Sequence, residues 1–331
     1  MSNGIKKHQL FCKDFNKITS EYRTTIMGIA MLSIMLFHQY FTSVIPFNVF
    51  HNFGYWGVDV FLFLSGMGLI KSLKRYSLST YYKRRIKRII PSCIVCGTIK
   101  YFIFLLLGSS VASLKDGLNL GWWSMMSFDS WFIPTILILY AISPLLYYML
   151  KKWPALTLIV TFIALFLNGL TLRLHIGFEW TSPLGVLSWT IERLPVFTFG
   201  MFVSVREEWF KDKALYSVIC LLLAVGIIII AKAGQSFYGY QACDYFFLTL
   251  GMPALIIYIT YFIKVLPVII KQIINFCGKY SLELYLVHEF IFWSLKINYV
   301  NASPWFLLPI AFTLSCLAAF FCKCVVKKIL P

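Results

Sequence analysis

About ten stretches of this chain, each close to twenty mostly apolar residues, follow one another with little between them. A helix of that length crosses the roughly 30 Å hydrocarbon core of a bilayer. The stretches lie near 24–44, 54–72, 89–108, 131–149, 154–172, 184–205, 214–231, 244–264, 280–298 and 304–324. The sixth is interrupted by Glu192, Arg193 and Pro195. Hydrocarbon offers the backbone no water, so repeated spans of this kind pair their N–H and C=O groups internally as helices. The expected fold is therefore all-α, a polytopic membrane helix bundle of about ten transmembrane helices, with residues 1–331 as a single membrane domain. Charged residues are 13% of the chain, against about 25% in soluble domains. The first 20 residues are polar and basic without an apolar core, so insertion through the first span is expected rather than a cleaved signal.

The formal charge of +17 would suggest nucleic acid in a soluble protein. Here the basic residues collect in alternate short loops, so no nucleic-acid partner is expected. One set comprises Lys6, Lys7, Lys13, Lys17 and Arg23, then the 71–88 loop, Lys151 and Lys152, Arg206, Lys211 and Lys213, Lys264, Lys271 and Lys279, and Lys323, Lys327 and Lys328. Cytoplasmic loops are enriched in Lys and Arg, which places both termini in the cytoplasm. The opposite loops carry Tyr55, Trp56, Trp122, Trp123, Trp131, Tyr238, Tyr240, Tyr299 and Trp305, as an interfacial aromatic belt does. The nine cysteines are scattered; Cys93 and Cys96 form a C-x-x-C inside an apolar run and read as packing residues. No resident metal or cofactor is expected.

Ionisable residues inside spans mark cavities or function. His38 sits in SIMLFHQYF, roughly 9 Å below the outer end of the first span. Asp59 sits in GYWGVDVFLFLSGMG, roughly 7.5 Å below the outer start of the second. A carboxylate beside an imidazole fixes its tautomer and raises its basicity, so the pair could draw a proton from an alcohol attacking a thioester. The alternative is a buried His and Asp that satisfy each other or the backbone. In KSLKRYSLSTYYKRRIKRIIP, Lys83, Arg84, Lys87 and Arg88 share one helical face. That face fits lipid head groups, nucleotide phosphates, or an orientation signal alone. In KYSLELYLVHEF, Ser281, Tyr285 and His288 line one stripe, while Glu283 points elsewhere. Such a stripe lines a cavity or ties helices together. Glu192 and Arg193 are expected to pair with each other's neighbours or with another helix, to avoid isolated burial. Lys100 lies mid-span, where the neighbouring sequence offers no obvious counter-charge.

Taken in order, MGIAMLSIMLFH (27–38), GVDVFLFLSGMGLI (57–70), YYKRRIKRIIP (81–91), WFIPTILILYAISPLL (131–146), RLPVFTFGMFV (193–203) and GKYSLELYLVH (278–288) resemble the acyltransferase-3 family of bacterial integral membrane acyltransferases. The resemblance implies transfer of an acyl group, often acetyl, from cytoplasmic acyl-coenzyme A to a hydroxyl of a cell-surface glycan, lipid-linked sugar or related acceptor, in the bacterial plasma membrane. It implies catalytic roles for His38 and Asp59, and donor binding by Arg84, Arg85 and Arg88, with Pro91 closing that motif. Ser281, Tyr285 and His288 match its late serine–tyrosine–histidine segment, and Glu192 and Arg193 join them as cavity residues. Many members carry an arginine eleven residues before the histidine; Met27 stands there in this chain. Arg23 is one turn further toward the cytoplasm, placed for a coenzyme phosphate rather than for the reaction centre. Two other functions remain open from sequence. One is a proton-coupled transporter or flippase using His38, Asp59 and His288 as relays. The other is a non-catalytic membrane partner of glycan assembly.

Overall fold

The computed structural model describes residues 15–38, 54–106, 131–173, 183–206, 214–233, 237–299 and 303–329. Among them are twelve α-helices and no strand. They are α1 (Phe15–Glu21), α2 (Arg23–Phe37), α3 (Trp56–Arg75), α4 (Leu78–Leu106), α5 (Phe132–Lys152), α6 (Pro154–Arg173), α7 (Pro183–Val205), α8 (Ala214–Ala233), α9 (Phe237–Val265), α10 (Val268–Lys279), α11 (Ser281–Asn298) and α12 (Pro304–Ile329).

Each apolar stretch coincides with a helix, and short α1 and α10 are additional. The count of spans is smaller by the measure of length and composition. Among the described residues, α3, α5, α6, α7, α9 and α12 contain stretches long and apolar enough to cross a membrane. α2 and α8 contribute shorter apolar helices, Arg23–Phe37 and Leu215–Ile230. α4 is a single helix of 29 residues that continues through Pro91, so the basic segment and the third apolar stretch share one helix. A proline inside a membrane helix is tolerated when neighbours satisfy the backbone group it frees. Exposed apolar side chains on α6 (Leu156, Ile163), α8 (Leu222, Ile230) and α12 (Leu317, Phe321) suit a hydrocarbon surround. Residues 1–14, with Lys6, Lys7 and Lys13, the loop residues Lys211 and Lys213, and the belt residues Trp122 and Trp123 lie outside the described residues.

The chain divides into two compact units. The first comprises Met1–Ile26, Asp59–Tyr81 and Thr135–Lys271. In it α8 packs along α9, and α7 packs against α6 and α9. α3 and α7 cross backbone to backbone: a Cβ at Gly66 would strike the Phe197 carbonyl, and one at Gly200 the Phe63 carbonyl. Small residues permit such an approach in membranes, where packing drives helix association. Pro253 interrupts α9, and Ser217 of α8 inserts beside it. The Ser217 hydroxyl donates to the Leu250 carbonyl at 2.9 Å and accepts the Ala254 N–H at 3.2 Å. Pro253 has no N–H for the Thr249 carbonyl, and Ser217 braces the adjacent Leu250–Ala254 rung.

The second unit comprises Met27–Val58, Tyr82–Pro134 and Gln272–Pro331. α11 packs against α12. Cys96 of α4 lies beside Cys322 of α12, and Cys277 of α10 beside Cys316 of α12. Lys100 places its ammonium 5.5 Å from the centre of the Phe290 ring, which supplies the contact that the local sequence lacks.

Candidate active site

The second unit holds both histidines of the sequence pattern. His38 closes the last turn of α2, where its Nδ1 lies 3.1 Å from the Ile34 carbonyl. His288 is buried on α11. Its Nδ1 lies 2.9 Å from the Leu284 carbonyl and 3.0 Å from that of Tyr285. The His288 Nε2 and His38 Nδ1 are 3.1 Å apart.

These contacts order the protons of a neutral pair. A carbonyl only accepts, so His288 Nδ1 carries hydrogen and its Nε2 has a lone pair. That lone pair accepts from His38 Nδ1–H, which also faces the Ile34 carbonyl. The tautomer of His38 then leaves its Nε2 as a basic nitrogen. Aromatic side chains surround the pair. Phe37 stacks edge-on to His38 at 5.0 Å and Tyr285 lies 5.9 Å from His288. Phe132 in turn lies 4.8 Å from Tyr285. Tyr285 thus joins the site through its ring, and Ser281 lies two turns below His288 on the same face, buried.

Asp59 takes a different partner from the one its sequence position suggests. It is 1% exposed, in the first unit, and Arg193 Nη1 donates to it at 3.0 Å (Oδ1) and 3.2 Å (Oδ2). His38 Nδ1 instead meets His288 Nε2 and the Ile34 carbonyl. The physical reason is the charge on Arg193, itself 2% exposed. A buried guanidinium binds a carboxylate more strongly than a neutral imidazole does, and leaving it unpaired would be costly. Tyr245 stacks its ring 4.0 Å from the Arg193 guanidinium carbon. Glu192, next in sequence, accepts from Gln241 Nε2 at 3.5 Å, and Gln241 also donates to the Tyr245 hydroxyl at 3.3 Å. Glu192 and Arg193 thus do find partners on other helices, α9 and α3.

Arg23 reaches α3 well inside that helix. Its Nη1 donates to the Leu64 carbonyl at 2.9 Å, and the missing side chain of Gly68 makes room for the guanidinium. Arg84 and Arg88 are exposed on α4 and Arg85 is half-buried. Arg85, Arg88 and Ser92 fall at i, i+3 and i+7, on one face.

With this geometry in view, the sequence model of the acyltransferase-3 family, described as an acyltransferase domain, matches residues 26–327. The chain belongs to the acyltransferase-3 family. It is an integral membrane acyltransferase, working at a lipid bilayer on an acyl donor and an acceptor. No curated protein and no solved structure matches the chain. The matched stretch includes every candidate residue of this acyltransferase except Arg23.

Three further polar residues meet in the acyltransferase's second unit. Glu283 Oε1 accepts from Ser92 Oγ at 2.7 Å and from Lys323 Nζ at 2.7 Å. In sequence Glu283 falls off the Ser281–His288 stripe and Lys323 reads as a tail charge. Ser92 and Glu283 are 191 positions apart. The one local signal is the unusual placement of a carboxylate at the third position of an apolar helix.

Proposed function

We propose that this acyltransferase moves an acyl group, acetyl by family habit, from cytoplasmic acyl-coenzyme A to a hydroxyl of a cell-surface glycan or lipid-linked sugar in a bacterial plasma membrane. The observation that carries the reading is the histidine pair, whose hydrogen bonds leave His38 Nε2 as a base. The acceptor hydroxyl gives its proton to that nitrogen while its oxygen attacks the thioester carbon. A C–O bond forms and the tetrahedral intermediate collapses with loss of the C–S bond. The proton passes from Nε2 to the departing sulfur, giving free coenzyme A and an ester. His288 holds the ring and accepts from Nδ1–H throughout, so the imidazolium formed between the two steps keeps a hydrogen-bond partner. Arg84, Arg85 and Arg88 are suited to the donor's phosphates, and the aromatic surround of the histidines suits a dry reaction centre. Positioning two substrates on one base supplies much of the rate. Asp59 and Arg193 hold α3 to α7, and Arg23 binds α3; these residues act on the scaffold in this reading.

The test is transfer of label from acetyl-coenzyme A to surface glycans in membranes containing the native protein or His38→Ala. Label that the variant fails to transfer supports the proposal. Equal transfer by both removes His38 from the chemistry. A well-folded native protein that transfers nothing removes acetyl-coenzyme A or the glycan from the reading.

A further inference from the structure

Ser92, Glu283 and Lys323 lie between the basic end of α4 and the histidine pair, all within the second unit. Glu283 is 1% exposed, and its Oε2 is buried with no hydrogen-bond partner. A buried carboxylate oxygen left unmatched is costly, and it is a standing acceptor for an N–H or O–H brought by a ligand. Lys323 is 30% exposed at its side chain. Its ammonium spends one donor on Glu283 and has two more to offer. Arg88 is one helical turn from Ser92 on the same face, and Arg85 is nearly two. The three cations against one carboxylate leave this region at +2. Next along α4 stand Cys93 and Cys96, both buried, and next to Lys323 on α12 stands buried Cys322, so the surroundings here are uncharged.

The matching ligand carries an anion at one end, then N–H or O–H donors, then a neutral end. We infer that Lys323, Glu283 and Ser92 bind the phosphopantetheine arm of the donor: Lys323 takes a phosphate oxygen beside Arg88, and Glu283 Oε2 accepts from an amide N–H or hydroxyl of the arm. The inference rests on acyl-coenzyme A being the donor. The lengths agree. Arg88 to Ser92 is roughly 6 Å along α4, and Glu283 to His288 roughly 7.5 Å along α11. The arm spans about thirteen bonds from phosphorus to sulfur, roughly 16 Å when extended. A phosphate at the Arg88 level therefore brings the thioester to the level of the histidines. A phosphatidylethanolamine head group shares the phosphate-plus-N–H chemistry, so the experiment includes it.

Binding of coenzyme A and of adenosine 3′,5′-bisphosphate is measured on the full chain in phosphatidylcholine nanodiscs. The proteins compared are native, Lys323→Met, Lys323→Arg and Glu283→Gln, each checked for native thermal unfolding. Lys323→Met and Glu283→Gln are expected to weaken coenzyme A roughly tenfold each, the size of one charge-assisted hydrogen bond. The bisphosphate, which lacks the arm, is expected to bind all four proteins alike, and Lys323→Arg to restore most coenzyme A binding. Coenzyme A binding that is equal in native, Lys323→Met and Glu283→Gln overturns the inference and leaves the donor reading standing. A native protein that binds no coenzyme A overturns both. Loss of native coenzyme A binding on adding phosphatidylethanolamine overturns the inference in favour of a lipid site.

Discussion

At the scale of single residues, His288 offers His38 one nitrogen, and its role there is to accept. That makes the nature of any replacement decisive. His288→Gln can present an amide oxygen to His38 Nδ1–H, whereas His288→Phe cannot. We expect the glutamine variant to retain roughly a tenth of native kcat, and the phenylalanine variant to fall about 100-fold or more, the usual span for a general-base contribution. The donor KM should be unchanged in both. Equal loss in the two variants would mean that His288 contributes bulk rather than a hydrogen bond. His38 was legible in the sequence, since an imidazole within an apolar run already asks for a reason. Its partner was legible as a member of a polar stripe, but not as a partner. The rings are 250 positions apart, and a closer carboxylate at similar depth offered a simpler match. Asp59 went to the buried arginine because charge outweighs proximity in sequence.

At the scale of helices, α3 and α7 are joined twice, once by the crossing at Gly66 and Gly200 and once by the Asp59–Arg193 ion pair. Gly200→Val pushes a side chain into the Phe63 carbonyl and should lower the thermal midpoint by several degrees, as overpacking costs about 1–3 kcal/mol. Arg193→Met leaves Asp59 buried without its cation and should cost about 3–5 kcal/mol. Adding Asp59→Leu to Arg193→Met should recover much of that loss, since an apolar pair no longer strands a charge. Thermal unfolding in detergent, compared across the single and double variants, checks both statements. Absence of recovery in the double variant would show that the pair does more than neutralise itself. The helices themselves were readable from hydrophobicity because a span has one length and one composition. Their ends were less so: α4 begins well before its apolar run, since a basic segment and a membrane segment can share one uninterrupted helix.

At the scale of the whole molecule, the basic loops predict which side of the bundle faces the cytoplasm. A single cysteine replacing Lys83, in a cysteine-free background, should react with an impermeant maleimide from the cytoplasmic side of sealed vesicles and be protected from the other. The reverse pattern would invert the donor's route. The ion pair between α3 and α7 bears on how such a bundle is built. α7 brings Glu192 and Arg193 into the bilayer, and a central arginine opposes insertion by about 2.5–3.5 kcal/mol. Its counter-charge arrives 134 residues earlier in the chain, on a helix synthesised first. Asp59 is then a waiting receptor for a reluctant helix during synthesis. A variant lacking it would fail first in biogenesis, with α7 left outside the membrane, and an activity assay alone would record that failure as lost catalysis.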